Sequence, residues 1–274
     1  MKMKKMKKII FNILRYGFLS IVAFGSVFPL FWTAVSATNR SVDVIRGAML
    51  PGSYLMNNLN RLLEISELRL ALINSTRNAV VLTFMSILIC SLAGYGFEIY
   101  HSKAKDRLMS ILLLSMMLPF AAIMIPLFQL VASLGLLDTT AGFMLPTVAT
   151  AFLIMFFRQN TRSFPREMIE AARIDGLNEL SIFFRIFVPT MKSTYAAAIT
   201  ITFMGAWNVF LWPRIIMMSP ESITMPMLVA NLTQGYVTDF GVVMLAVLIA
   251  TLPTIVLFFF LQRYFREGIV GTIK

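Results

Sequence analysis

The sequence predicts an all-α membrane protein with six transmembrane helices. The 274 residues are 58% hydrophobic and only 14% charged, which leaves too little polar surface to cover a water-soluble globule. The apolar residues gather in separate runs of about 20, each long enough to cross the hydrocarbon core of a bilayer as a helix. The basic residues lie mainly between these runs, as expected for a chain that is oriented by its charged loops.

Six spans account for the apolar runs. They cover residues 10–36, 73–99, 107–132, 140–159, 194–218 and 240–262. The first span follows a run of lysines and ends near Val35-Ser36-Ala37, a pattern similar to a signal-peptide cleavage site. Because its apolar stretch exceeds an ordinary signal-peptide core and five spans follow, we interpret it as a retained anchor. We expect one transmembrane domain over residues 1–274, with a core at about 70–265.

The distribution of Lys and Arg predicts the orientation of these spans. With the N-terminus inside, 18 of the 24 basic residues lie on the inner side. The outer side holds Arg40, Arg46, Arg61, Arg69, Arg77 and Arg214. Because basic loops stay in the cytoplasm, we expect both termini to be cytoplasmic in a multi-pass protein of a bacterial or archaeal inner (plasma) membrane. The longest inside loop then runs from about Arg158 to Lys192.

Composition also excludes several classes of function. The net charge of +11 is compatible with nucleic-acid binding, but the basic residues form no aromatic-interleaved face, so membrane lipid is the expected partner and nucleic acid is not. Cys90 and His101 are the only residues of their types, which excludes an intrachain disulfide and a His/Cys metal cluster. None of the 14 glycines precedes a lysine, so there is no Walker A loop. We therefore expect this chain to have no catalytic residue, no metal and no cofactor. It is not expected to be an enzyme.

The inside loop is predicted to contain two short helices around a glycine turn. Ser163 can cap the first helix, and Gly176 can end it in a left-handed conformation. Asn178 can cap the second helix, which Pro189 interrupts before the next span. The pair would lie on the cytoplasmic face of the membrane.

The first of these helices carries the most specific pattern in the chain. Ala171 and Ala172 leave almost no side-chain bulk on one side, so another protein's surface could approach the backbone closely. An amphipathic connector on the lipid headgroups is the alternative. This part of the loop resembles the EAA loop of binding-protein-dependent ABC importer permeases. The residues that carry the resemblance are Glu170-Ala171-Ala172, Asp175-Gly176, Phe183, Ile186 and Pro189.

In that family the loop is the coupling helix, which fits a cleft on the ATP-hydrolysing subunit and transmits its closure to the membrane spans. The resemblance places such a helix between spans four and five. It implies an ATPase-coupling role for Glu170, Ala171, Ala172, Asp175 and Gly176.

Four further segments extend the resemblance and narrow it to the carbohydrate, maltose-permease-like branch. They are Asn74-Ser75 with Ala93–Phe97, Gly135–Thr139 with Leu145-Pro146, Trp207–Pro213 and Tyr264–Gly271. The first 60 residues match only in pattern. The resemblance implies a permease subunit of an ATP-driven sugar or oligosaccharide importer that works by alternating access. Its implied partners are a second homologous permease, an ATP-binding cassette ATPase dimer and an extracytoplasmic sugar-binding protein.

The fifth span holds the candidate translocation-path residues Trp207, Asn208 and Trp212. Aromatic faces stack on sugar rings, and an amide can hydrogen-bond sugar hydroxyls. The alternative is tryptophan at the membrane interface beside a helix kink at Pro213. Because polar groups at membrane depth are costly unless they face protein or water, Asn208 is expected to point inward.

The outside segment 219–239 is polar and is either a solvated connector or a surface for the binding protein. Candidate contacts with that protein are Asn231, Gln234 and Tyr236. Two alternative functions stay open: an ABC permease for another solute such as amino acids or peptides, and an ion-coupled secondary transporter. The second needs ionisable groups at the membrane midplane, and the predicted spans place almost none there, with Glu98 close to the cytoplasmic edge.

Overall fold

The structure is a computed structural model that describes the backbone of residues 2–234 and 238–271 and the side chains of residues 11–234 and 238–264. Within those ranges every regular element is a helix, which confirms the all-α fold class. The chain divides into two compact units. Unit 1 comprises Met1–Ser66 with Val229–Thr251, and unit 2 comprises Glu67–Leu228 with Leu252–Lys274.

The helices vary widely in length. In chain order they are α1 (Lys2–Ser36), α2 (Ser41–Ile45), α3 (Leu55–Ile65), α4 (Leu68–Ile99), α5 (Lys103–Ser115), α6 (Phe120–Ser133), α7 (Thr140–Met144), α8 (Ala151–Thr161), α9 (Arg166–Ile174), α10 (Glu179–Ile182), α11 (Val188–Thr190), α12 (Lys192–Asn208), α13 (Leu211–Ile216), α14 (Met225–Leu232) and α15 (Phe240–Gly271). A π-helical turn, Phe183–Phe187, joins α10 to α11, and a 3-10 turn, Pro220–Ser222, follows α13.

Three described helical segments are long and apolar enough to cross a membrane alone: Phe11–Ser36, Leu68–Ile99 and Phe240–Tyr264. Helices α5 and α6, with 13 and 14 residues, are each too short and meet this standard only as a pair, which is bent by 97° at the break between them. Pro119 precedes α6 in extended conformation. A proline disfavours helix in the residue before it and lacks an N–H, so the predicted span 107–132 is broken at this point.

The segments predicted as spans four and five also differ from continuous helices. Helices α7 and α8 replace the predicted span 140–159, with an irregular stretch between them that contains Pro146. In the predicted span 194–218, α12 ends at Asn208 and α13 begins at Leu211. Pro213 lacks the N–H that would bond to the carbonyl of Val209 in a continuous helix, so the break lies four residues before it.

In unit 2, α4 is the central helix and packs against both α8 and α12. Gly94 allows the close crossing with α8: a Cβ there would lie 2.5 Å from the Cβ of Phe157 and 2.8 Å from the backbone nitrogen of Arg158. Buried residues of the surrounding helices fill this core: Cys90, Met109, Leu153, Ile154, Phe157 and Ala198.

In unit 1, buried asparagines hold the end of α1 against α3. The Asn58 side-chain amide donates to the carbonyls of Ala37 and Asn39, both at 2.9 Å. Asn39 in turn donates to the carbonyls of Val35 at 3.1 Å and Leu50 at 3.0 Å. The two bonds from Asn58 pair carbonyls just beyond the end of α1, where no further helical turn supplies a partner.

Candidate functional site

The 163–189 loop has the two-helix form that the sequence predicts. Helix α9 is followed by Gly176, whose φ is 81° and whose N–H donates to the carbonyl of Arg173 at 3.0 Å. Asn178 accepts a hydrogen bond from the backbone N–H of Ser181 at 2.8 Å and so caps α10. The predicted glycine turn and the predicted asparagine cap are both confirmed.

Ser163 has a different role from the predicted one. Its hydroxyl donates to the carbonyl of Asn160 at 2.8 Å, in the turn that ends α8. Pro165 occupies the position before α9, and no side chain caps that helix. The prediction of a serine cap was wrong because α8 extends to Thr161, so Ser163 belongs to its last turn.

Aromatic side chains anchor the loop to the end of α4. The ring of Tyr95 on α4 lies edge-on to Phe183, at 5.3 Å between centroids, and to Phe187, at 4.9 Å. The buried cluster consists of Tyr95, Phe164, Ile169, Ala172, Ile182, Phe183, Phe187 and Met191. We name it the aromatic anchor. Its members come from α4 and from the 163–189 loop with its flanks, so the loop is packed on the helix bundle.

The predicted ATPase-coupling residues divide into two groups. Glu170, Ala171, Asp175 and Gly176 are exposed. Ala172 is only 4% exposed and lies in the aromatic anchor. The expectation that both alanines offer a small face to another protein is therefore corrected for Ala172, since neighbouring residues of a helix point in different directions. Its small side chain instead lets α9 lie close to its own core.

An ion pair closes the glycine turn. The Arg173 guanidinium lies 2.8 Å from the Glu179 carboxylate, and both side chains are partly exposed. The bonds from Arg173 and then from Tyr100 hold the pKa of Glu179 below its usual range. The Arg173–Glu179 pair is thus charged at neutral pH. Because water screens it, the pair contributes little to stability and mainly orients the two short helices of the turn.

Buried charges lie where α4 meets α8. Glu98 and Arg158 are only 7% and 4% exposed, and they pair at 3.3 Å. Arg158 also bonds to Asp106 of α5, and Arg166, the first residue of α9, lies 3.8 Å from Glu98. Sequence reasoning missed this network, because partners about 60 positions apart give no local pattern. In the described residues no group of three or more His, Cys, Asp or Glu could hold a metal ion.

The candidate path residues do not form one group. Trp212 is 2% exposed, its indole N–H donates to the carbonyl of Gly142 at 3.1 Å, and its ring meets Phe120 edge-on. Trp207 is equally buried. Asn208 is exposed and donates to the Met204 carbonyl one turn earlier at 2.9 Å. One N–H of the Asn208 amide thus bonds to its own helix, and the inward orientation of this side chain stays a prediction.

Trp212 borders a cavity of about 270 Å³ in unit 2 that we name the Trp212 cavity. Its lining residues come from α4, α6, α7, α8, α12 and α13 and the breaks between them: Leu82, Ser86, Phe120, Phe143, Thr147, Thr150, Phe152, Leu153, Ile201, Thr202, Gly205, Ala206, Val209 and Trp212. Trp207 and Asn208 are not among them. The lining combines aromatic rings with four hydroxyl side chains.

At the other end of α4, two polar side chains hold the segment before α14. Asp138, a non-glycine residue with φ of 59°, accepts from the Ser219 N–H at 2.9 Å and from the Ser222 hydroxyl. The Asn74 amide donates to the carbonyls of Glu221 and Ile223 at 2.7 and 3.0 Å. Burial opposes ionisation of Asp138, but the hydrogen bonds from Ser222 and Ser219 outweigh it and hold the pKa of the Asp138 carboxyl below its usual range.

The candidate binding-protein contacts lie in unit 1 or outside the described residues. Asn231 and Gln234 are exposed. Tyr236 lies outside the described residues. Exposure is what a contact with another protein requires, and the role of these residues stays a prediction.

The fold and the anchored loop define a helical membrane protein whose 163–189 loop packs on α4 and exposes part of its surface. The chain belongs to the family described as binding-protein-dependent transport system inner membrane component, which it matches over residues 86–270. It is 44% identical over 263 residues to the lactose transport system permease protein LacG of Rhizobium radiobacter, covering 96% of each chain.

Other known proteins extend the comparison. The chain is 31% identical over 277 residues to the arabinooligosaccharides transport system permease protein AraQ of Halalkalibacterium halodurans, covering 99% of each chain. It is 30% identical over 261 residues to the sn-glycerol-3-phosphate transport system permease protein UgpE of Yersinia pestis, covering 90% of this chain and 92% of the relative. A bacterial ABC transporter for alginate import shares the fold, with a TM-score of 0.82, 22% identity and coverage of 94% and 98%.

Proposed function

We propose that this chain is the permease subunit of an ATP-driven importer of sugars or oligosaccharides. The observation that carries the proposal is the 44% identity to the lactose permease protein along nearly the whole chain. The similarity to arabinooligosaccharide permease proteins supports the same substrate class. Family membership argues against an ion-coupled secondary transporter, and these relatives favour sugars over amino acids or peptides.

The 163–189 loop is the proposed docking element for an ATPase subunit. Glu170, Ala171, Asp175 and Gly176 form its exposed surface, and Ala172 supports that surface from inside. ATP is hydrolysed by an ATPase dimer in the partner subunits, since the sequence contains no Walker A loop.

The aromatic anchor is the proposed route by which ATPase closure reaches the membrane helices. Tyr95 contacts Phe183 and Phe187, and Arg166 of α9 pairs with Glu98 of α4. Closely packed interiors move as bodies and do not deform continuously. A displacement of α9 is therefore expected to move the adjoining end of α4.

The remaining partners and the orientation follow from the same proposal. A second homologous permease completes the translocation path, to which Trp207, Asn208 and Trp212 are assigned. An extracytoplasmic sugar-binding protein docks on the side that holds Asn231 and Gln234. Both termini are cytoplasmic, which the position of 18 of 24 basic residues supports.

The test compares two glycine-to-proline variants in cells that carry the complete transporter. Gly176 has φ of 81° and Gly47 has φ of 77°, and each N–H donates to the carbonyl three residues earlier at 3.0 Å. Proline fixes φ near −65° and removes the N–H, so both turns suffer the same local damage. Only Gly176 lies in the proposed docking loop.

We expect Gly176→Pro to abolish uptake of radiolabelled lactose and arabino-oligosaccharides and co-purification of the ATPase, with membrane insertion intact. Gly47→Pro should keep ATPase co-purification. Uptake that survives Gly176→Pro and instead collapses with the proton gradient would contradict the proposal. If Gly176→Pro and Gly47→Pro reduce co-purification of the ATPase equally, the docking role cannot be assigned to this loop.

A further inference from the structure

Three helix interruptions in unit 2 border the Trp212 cavity. Phe120 is the first residue after the break between α5 and α6, Thr147 and Thr150 lie between α7 and α8, and Val209 lies between α12 and α13. At membrane depth, non-helical backbone is tolerated only where it is buried in protein or lines a water-filled space. Broken membrane helices also mark solute sites in transporters, because they release backbone polar groups for a ligand. The shared location of the three breaks indicates a site for a polar solute.

A buried hydroxyl without a partner supports this conclusion independently. Ser86 on α4 is 2% exposed, and its Oγ has no hydrogen-bond partner in the described part of the chain. Buried polar groups are normally paired, so an exception requires an explanation such as a ligand. Thr150 lines the same cavity and accepts from the Leu153 N–H at 3.3 Å, which leaves its O–H available as a donor. The cavity therefore offers hydroxyl groups without any charge.

The apolar part of the lining fits the C–H face of a sugar ring. Trp212, Phe120 and Phe143 contribute aromatic rings, and the bond from the Trp212 indole to Gly142 fixes the orientation of that ring. Pyranose and furanose rings have C–H faces that pack on aromatic rings, while their hydroxyls bond to protein hydroxyls. The volume of about 270 Å³ lies just below the roughly 300–1,000 Å³ of drug-sized pockets, so one ring fits and an oligosaccharide does not.

Gly205 on α12 leaves the cavity open. It lines the cavity, and a Cβ added to it would meet nothing within 4 Å. A larger residue at this position would therefore project into open space without a clash. Gly25 on α1 is likewise a helical glycine whose Cβ would meet nothing within 4 Å; it belongs to unit 1 and is not a lining residue of the cavity.

We propose that the Trp212 cavity is a subsite on this chain for a single neutral sugar ring of the transported solute. The Ser86 hydroxyl and the threonine hydroxyls bond the ring, and Trp212 with Phe120 packs on its C–H face. The subsite rests on the proposed import of sugars. It assigns substrate contact to residues other than Trp207 and Asn208.

The test measures how much radiolabelled lactose, arabinotriose or arabinose is retained by the complete transporter when it is arrested with a non-hydrolysable ATP analogue. Ser86→Ala removes one hydrogen bond to a neutral ligand, so retention should fall about three- to tenfold. Gly205→Leu fills the cavity, so retention and uptake should fall by about tenfold or more. Gly25→Leu should match the wild type. ATPase co-purification should be unchanged in all three.

Equal retention and uptake in Ser86→Ala, Gly205→Leu and Gly25→Leu would overturn the subsite, because the cavity would then hold water only. If Gly205→Leu fails to assemble, Ser86→Ala decides the question, since its hydroxyl bonds nothing else in the described protein. A wild-type complex that neither retains nor imports any of the three sugars would overturn the proposed function itself. The two failures are thus distinguishable.

Discussion

Gly94 shows how much of unit 2 depends on single residues. Helices α4 and α8 cross so closely there that a Cβ would lie 2.5 Å from the Phe157 Cβ. Small residues at helix crossings allow the backbones to approach, and in a membrane such packing is a main source of association between helices. The same crossing brings Glu98 and Arg158 together at 3.3 Å.

We predict that Gly94→Ala destabilises the chain by about 1–3 kcal/mol through overpacking, with a correspondingly lower Tm. Gly96→Ala is the matched control, because Gly96 lies on the same helix and its Cβ would meet nothing within 4 Å. It should be neutral or stabilise by about 0.5–1 kcal/mol. Cys90 is the single cysteine and is buried, so the rate at which a thiol-reactive dye labels it on heating reports unfolding. Equal melting of the two variants would contradict the prediction.

Residue-scale prediction from the sequence succeeded where local rules decide the conformation. Gly176 and Asn178 were predictable because a left-handed turn favours glycine and a helix N-terminus favours a side-chain acceptor. The roles of Ser163 and Ala172 were not predictable in the same way. They depend on where α8 ends and on which face of α9 meets the core.

At the scale of elements, the contact between α4 and the 163–189 loop is the link with the clearest consequence. Tyr95 packs on Phe183 and Phe187, and its phenolic hydroxyl has no hydrogen-bond partner in the described residues. The ring therefore holds the loop, whereas the hydroxyl adds nothing to that contact. These two contributions can be separated by substitution.

We predict that Tyr95→Phe keeps transport and is neutral or stabilising by about 1 kcal/mol, since it removes an unpaired buried hydroxyl. Tyr95→Ala should destabilise by about 3–5 kcal/mol through the cavity that it leaves. It should also reduce the ATP hydrolysis that the binding protein stimulates, measured on the purified complete transporter. If Tyr95→Ala lowers Tm but leaves this stimulation unchanged, the anchor is structural and does not transmit motion.

The breaks within the predicted spans mark the limit of hydropathy at this scale. Apolar composition identifies the segments 140–159 and 194–218 as membrane segments. It does not predict whether the backbone hydrogen bonds inside them are continuous. Pro146 and Pro213 were visible in the sequence. A proline in a membrane helix either kinks it or interrupts it, and the outcome depends on which neighbouring groups satisfy the freed backbone.

At the scale of the whole molecule, the sequence predicts the fold class and family from patterns that extend over the entire chain. The contacts that hold each unit together could not be predicted, because they join distant residues: Asn74 to the carbonyl of Ile223, and Arg61 to Asp239 at 3.2 Å. Neither contact produces a periodic pattern in the sequence. The orientation of the chain in the membrane is another property of the whole molecule. The charge pattern predicts it, whereas the positions of the helices do not determine it.

Two variants, each with one added cysteine, test that orientation. Leu50 and Ile174 are among the most exposed apolar side chains, at 79% and 86%, so cysteine at either position is accessible to reagent. The charge pattern places residue 50 outside and residue 174 inside. In intact spheroplasts a membrane-impermeant maleimide should label Leu50→Cys and leave Ile174→Cys unlabelled until the membrane is permeabilised. The parent chain is the control for background, because its single Cys90 is buried. The reverse labelling would put the 163–189 loop on the side without ATP, and coupling to an ATPase through that loop would then be impossible.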